Sequence, residues 1–210
     1  MQRGDSFVNF GNQTVDDFLD SLAVKEPVPG GGALAGVLAA LSTSLGNMVL
    51  AYTQDKKQYA DHASLHSDCN NFLQSARIEA MELATEDADA YLALNSLWKL
   101  DADDPLRLES WGGAIEDAAG VPIRTMELCK RILTTLETMV GKTNKMLVSD
   151  LATAAILARA AIESAAWTAR INLPYIDDNE RRDELEANIY SLRETCNNTA
   201  SAIDDACRAV

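Results

Sequence analysis

Apolar side chains recur every three or four positions along almost the whole chain, and no run of strand length alternates between apolar and polar residues. The longest stripe is Leu65, Cys69, Phe72, Ala76, Ala80, Leu83, Asp87, Tyr91, Leu94 and Trp98, which predicts one long amphipathic helix ending near residue 98. Before it, Thr14-Val15-Asp16-Asp17 has the form of a capping box for a short helix that runs into Glu26-Pro27. After it, Asp104-Pro105 reads as an N-cap with proline in the first turn. Gly120-Val121-Pro122 predicts a break or kink there, with a further helix from about residue 122 to 139. Gly141-Lys142-Thr143-Asn144 reads as a connector, and Ser149-Asp150 as the cap of a helix closed by Leu173-Pro174. Asp177-Asp178 opens the last helix, with Leu185, Ile189, Leu192, Cys196, Thr199, Ile203 and Cys207 on one side. The expectation is an all-α protein: residues 1–210 as a single domain, a bundle of about six or seven helices, the long ones antiparallel.

Residues 33–52 break the amphipathic pattern, because they carry no charge at all. On a helix they divide by size: Leu34, Val37, Leu38, Leu41, Leu45, Met48, Val49 and Tyr52 on one face, and mainly Gly, Ala, Ser and Thr on the other. The length alone would suit a membrane span. Ser42, Thr43, Ser44, Asn47 and the glycines, with no second span of that length, predict instead a central helix of a soluble bundle. One subunit cannot easily hide both faces, so a homodimer held through small-residue faces is expected.

A net charge of −14 argues against nonspecific nucleic-acid binding and against docking on anionic lipid. An anionic substrate would then need a site that gathers its own positive charge. Cys69, Cys129, Cys196 and Cys207 show no C-x-x-C spacing and read as buried or half-buried thiols, and no signal-like apolar segment opens the sequence. A cytoplasmic location is the expectation.

Candidate chemistry is sparse. Pro27-Val28-Pro29-Gly30-Gly31-Gly32 places unhindered N–H groups of Gly30, Gly31 and Gly32 at a helix N-terminus, where donors lack partners and the dipole is positive. No Gly-Lys-Ser/Thr follows, so it is not a nucleotide loop. His62 and His66 stand four apart, but no Glu follows His62 as in the zinc-protease motif and both flank the polar side of the stripe, so no metal is expected. Lys56 and Lys57 are the nearest cations for an anionic ligand. Asp87 sits on an apolar stripe, and Asp150 on the small-residue side of its helix; a carboxylate at such a position needs a partner or a task.

These pieces, in order, resemble the cyclodeaminase domain of the formiminotransferase-cyclodeaminase family. The resemblance rests on Pro27 to Gly32, Met48-Val49, Thr53, Lys57-Gln58-Tyr59, Asp87 to Tyr91, Lys99-Leu100, Val121-Pro122, Asn144, Ser149-Asp150-Leu151, Ala154-Ala155 and Ile171-Asn172-Leu173. It covers nearly the whole chain. Departures are Ala33, where a Ser commonly follows the glycines, Thr143, where a Gly precedes the Asn, and Thr168, where an Asn is usual. The resemblance implies an all-helical, dimeric, folate-dependent one-carbon enzyme without a cofactor beyond its tetrahydrofolate substrate. Formimino-tetrahydrofolate cyclodeaminase is the leading expectation, methenyl-tetrahydrofolate cyclohydrolase the first alternative, and a non-catalytic folate-binding or dimerisation relative the second.

Either reaction passes through a tetrahedral carbon on nitrogen, so one group must take a proton and one must give it. Asp150 and then Asp87 are the expected acid–base residues, either of which could instead anchor the pterin by paired hydrogen bonds. Gly30, Gly31, Gly32, Asn144 and Ser149 are expected to supply donors, with Lys57 at the glutamate tail. Asn172 is expected to tie down the turn at Pro174.

Overall fold

The computed structural model describes residues 9–209. Among them six α-helices account for most of the chain: α1 (Val15–Ala23), α2 (Gly31–Ala51), α3 (Ala63–Trp98), α4 (Pro105–Met139), α5 (Val148–Asn172) and α6 (Asn179–Arg208), with short 3-10 turns between some of them. Helix α2 is the centre. It lies against α3 on one side and α5 on the other, α4 bridges α3 and α5, and α6 closes the outside of α4 and α5. Cross-helix contacts fix the directions. Gly46 meets Leu73 while Gly36 meets Ala80 and Ala84, so α3 runs antiparallel to α2. Ser42 donates to Ala154 O and Ser164 to Gly31 O, which sets α5 antiparallel to α2 as well.

The capping box at Thr14 forms as expected, with Thr14 and Asp17 bonding each other's backbone N–H. Most of the α3 stripe is also where the pattern put it, although Tyr91 is exposed. Charged pairs zip the outer edges: Arg124 with Glu86 and Arg131 with Glu79 across α3 and α4, and Arg193 with Glu163 across α6 and α5. All four cysteines are free and buried.

Three expectations change. First, α4 is one continuous helix through Pro122. Proline removes the N–H that would bond Ala118 O, but the side-chain amide of Asn172 takes that carbonyl at 3.1 Å. Second, Ser149-Asp150 does not cap α5. Asn144 caps the preceding 3-10 turn instead, accepting from Met146 N at 3.2 Å, and the chain enters α5 at Val148. Third, the small-residue face of α2 is not a subunit contact. Ala35, Gly36, Ala39, Ser42, Thr43 and Gly46 are buried inside the protomer, where a Cβ on Gly36 would stand 2.6 Å from Ala80 O. The outward face is the large one: Leu41 is 51 % exposed, and Leu34, Val37, Leu38, Leu45 and Met48 are half-buried around it. Small residues face inward because they let backbones approach closely, which favours dispersion contacts over side-chain interdigitation.

Candidate functional site

The glycine turn, α3 and α5 meet at the N-terminal end of α2. Pro29 is buried there behind a cis Val28–Pro29 bond, and Gly30 is the N-cap of α2 in an extended conformation. The first intrahelical bond, Leu34 N to Gly30 O at 3.0 Å, leaves the N–H groups of Gly31, Gly32 and Ala33 without helical partners. Ser164 holds the turn by donating to Gly31 O at 2.8 Å, and Thr168 donates to Ser164 O at 3.1 Å.

Asp87 projects from α3 onto this helix end. A Cβ on Gly32 would fall 2.0 Å from Asp87 Oδ1, so the carboxyl occupies the space that the missing side chain leaves. Burial pushes Asp87 from 3.8 up to about 6, while the Ala33 N–H pulls partly the other way. The carboxyl is thereby poised to exchange a proton near neutral pH.

Beside it opens a cavity of about 400 Å³ lined by Pro27, Val28, Gly30, Gly31, Gly32, Asp87, Tyr91, Ala118, Trp167, Thr168, Ile171 and Asn172. Its rim is apolar and aromatic: Trp167, Ile171 and Tyr91 are all exposed. Its inner polar groups are Asp87, Thr168, Asn172 and the glycine amides. None of these lining residues carries a positive charge.

The other expected residues lie at the far end of the bundle. Helix α2 is about 30 Å long at 1.5 Å per residue, and Lys57, Asn144, Ser149 and Asp150 gather past its C-terminus. Asn144 is buried, its N–H donating to Thr53 Oγ1 at 3.0 Å and its amide to Tyr52 O at 3.3 Å. Lys57 and Ser149 are exposed and Asp150 is half-buried in the first turn of α5. His66 spends Nε2 on Lys142 O at 2.8 Å. A single protomer therefore does not bring Asp150 or Lys57 to the glycine turn, contrary to the one-site arrangement expected from sequence. Antiparallel packing is the reason: neighbours in the motif list stand at opposite ends of the helices.

Over residues 14–191 the chain matches the profile of the formiminotransferase-cyclodeaminase family. The chain belongs to that family. It is 29 % identical over 187 residues to the methenyltetrahydrofolate cyclohydrolase of Methylorubrum extorquens, covering 84 % of this chain and 88 % of that protein. It is 25 % identical to the formimidoyltransferase-cyclodeaminase of Mus musculus over 89 % of this chain, and the match spans 35 % of the mouse protein's length. Among solved structures, the formiminotetrahydrofolate cyclodeaminase of Thermotoga maritima superposes with a TM-score of 0.87 at 25 % identity, covering 95 % of this chain and 98 % of that one.

Of the three departures from the family's pattern, only Thr168 lines the cavity. Ala33 packs into a satellite cluster with Phe10, Phe18, Ala84 and Ala88, and Thr143 is buried at the far end, donating to Met139 O at 3.2 Å. Trp167 was not among the expected residues, and Ile171 entered only through the family resemblance. Their signal was there, two large apolar residues four apart on the outward side of an otherwise Ala-rich helix.

Proposed function

We propose that this chain closes the formimino group of formimino-tetrahydrofolate to the methenyl bridge with loss of ammonia, in the cavity beside Asp87. The observation that carries the reading is a half-buried carboxyl lying on a helix N-terminus at the wall of an aromatic-rimmed cavity, with its pKa raised to about 6. In the first step N10 attacks the carbon of the protonated formimino group (an amidinium at neutral pH), a C–N bond forms, and the electron pair of the C=N bond moves to the nitrogen, leaving it a neutral amino group. Ionised Asp87 takes the proton lost from N10. It then returns that proton to the amino group on the tetrahedral carbon, the C–N bond to that group breaks, and ammonia leaves the methenyl cation. One carboxyl whose ionised and protonated forms are both populated near neutral pH serves both steps. Trp167 and Tyr91 offer flat apolar surfaces to the pterin and aminobenzoyl rings.

Hydration of the methenyl bridge is the second reading, favoured by the similarity to the Methylorubrum cyclohydrolase. There Asp87 would take its proton from water. The test is incubation with formimino- and methenyl-tetrahydrofolate while following ammonia and the methenyl chromophore, for the wild type and Asp87→Asn. Ammonia release that Asp87→Asn abolishes supports the first reading. Loss of the chromophore without ammonia supports the second. Equal rates in both proteins would reject Asp87 as the proton carrier.

The same reading includes a homodimer. Residues 33–52 are uncharged, and their large face is turned outward with Leu41 at its middle. A two-fold axis through Leu41 would pair α2 antiparallel with its copy and bring Lys57 of the partner subunit beside the glycine turn. That would supply the cation the cavity of one protomer lacks.

A further inference from the structure

Asn172 is 6 % exposed and lines the cavity from α5. Its side-chain nitrogen donates to Ala118 O at 3.1 Å and to Thr168 O at 3.0 Å. Both neighbours are carbonyls, which can only accept, so the NH₂ must face them and the amide cannot be flipped. Its Oδ1 therefore points the other way. Among the described residues the only sealed side-chain polar atom without a partner is Asn197 Oδ1. Asn172 Oδ1, for which no described residue supplies a donor, is not sealed off and faces the cavity that Asn172 lines.

The carbonyl that fixes this amide is available because of a proline. In an uninterrupted helix Ala118 O would receive the N–H of residue 122, and Pro122 has none. Asn172 thus stands in for the missing helical donor, and its acceptor oxygen is aimed by that substitution. Thr168 adds a second acceptor, since its hydroxyl hydrogen is spent on Ser164 O. On this side of the cavity Asn172 and Thr168 present acceptors, whereas the glycine turn presents donors, and a ligand edge seated against the two acceptors must carry N–H groups.

We propose that Asn172 Oδ1 is a substrate-positioning acceptor for an N–H of the tetrahydropterin ring, and that Pro122 is the residue that holds it in place. This rests on the folate reading above. A tetrahydropterin carries N3–H, the 2-amino group and N8–H, so it matches such a wall. A pterin lacking these donors would leave Oδ1 buried and unpaired, which is costly.

The experiment measures binding of unmodified tetrahydrofolate by calorimetry, with kcat and KM on the turned-over substrate, for wild type, Asn172→Leu and Pro122→Ala. Asn172→Leu should weaken binding by about 10- to 100-fold, the range for a buried donor left without its acceptor. Pro122→Ala restores the helical N–H, which competes for Ala118 O and frees the amide to turn. It should raise KM by about 3- to 10-fold, the weight of one neutral hydrogen bond, with kcat little changed. Its melting temperature should hold or rise, because a proline inside a helix is being removed. A merely structural role would move affinity and stability together. Pro122→Ala with unchanged KM, or Asn172→Leu with unchanged tetrahydrofolate affinity, would overturn the proposal while leaving the folate reading intact. A wild-type protein that neither binds tetrahydrofolate nor acts on its derivatives would overturn both.

Discussion

Replacing Asp87 by Asn should stabilise this protein at neutral pH while removing its chemistry. Burial raises the carboxyl from 3.8 to about 6, so the folded state prefers the protonated form. The sign follows: whatever stability this preference brings is complete below the unfolded value and is lost as pH rises through the folded one. At pH 8 the ionised group therefore costs about 3 kcal/mol relative to a neutral isostere, at 1.36 kcal/mol per pKa unit. Asparagine keeps the shape without the charge. The difference in unfolding free energy between Asp87→Asn and wild type should be near zero at pH 4, grow through pH 4–6, and level off at about 3 kcal/mol above pH 7. Urea denaturation at five or six pH values measures it. Taking the difference matters because other groups pull the opposite way. Burial pushes Glu163 up, but hydrogen bonds from Arg193 and Asn197 outweigh it and hold the carboxyl low, so its contribution falls away in acid. Turnover should drop about 10²–10⁴-fold in the same variant. A stability difference that is flat from pH 4 to 8 would refute burial as the origin of the shift.

Gly32→Ala places a methyl where Asp87 Oδ1 sits, so the carboxyl must swing away; activity should collapse at a stability cost within about 1–3 kcal/mol, read by parallel kinetics and melting. Gly36→Ala meets backbone and a neighbouring Cβ instead, Ala80 O and Ala84, and should cost at least as much stability without a specific catalytic signature; a melting temperature equal to wild type would contradict the close α2–α3 approach. Mixing impaired Asp87→Asn and Lys57→Glu chains after co-refolding should restore activity to about a quarter of the sites, the random-mixing share for a site shared across a two-fold dimer. Restoration no better than the sum of the two separate proteins would confine the site to one protomer.

Much of the fold was legible because helices announce themselves through periodicity and caps: Thr14, Asp104 and most of the α3 stripe fell where the residues put them. Asp87 stood out for the same reason, as an acid in an apolar row. What the sequence concealed was partnership at a distance. Pro122 read as a break, since nothing local supplies a donor to Ala118 O; the donor lies 54 positions away in Asn172. Ser149-Asp150 has the composition of a cap, but α5 starts at Val148 behind Leu147, which makes no side-chain cap bond, and Asn144 caps the 3-10 turn that leads into it. The candidate site was split for a similar cause, because motif order does not reveal which end of an antiparallel bundle each residue occupies. Size segregation on α2 was visible, whereas which face turns inward depended on the close approach of α3 and α5.

The central position of α2 has a consequence during synthesis. Residues 31–51 are the one segment among the described residues long and apolar enough to cross a membrane, and they leave the ribosome before the helices that cover them. Helix α3 can cover one side soon afterwards, but α5, which accepts from Ser42 and donates to the carbonyl of Gly31, follows about a hundred residues later, a delay of roughly 5–20 s at ordinary elongation rates. For that interval an uncharged helix waits half-clothed, open to chaperones or to the membrane-insertion machinery. Codon choice and translation speed between α3 and α5 should therefore govern the yield of soluble protein more than the stability of the finished bundle does.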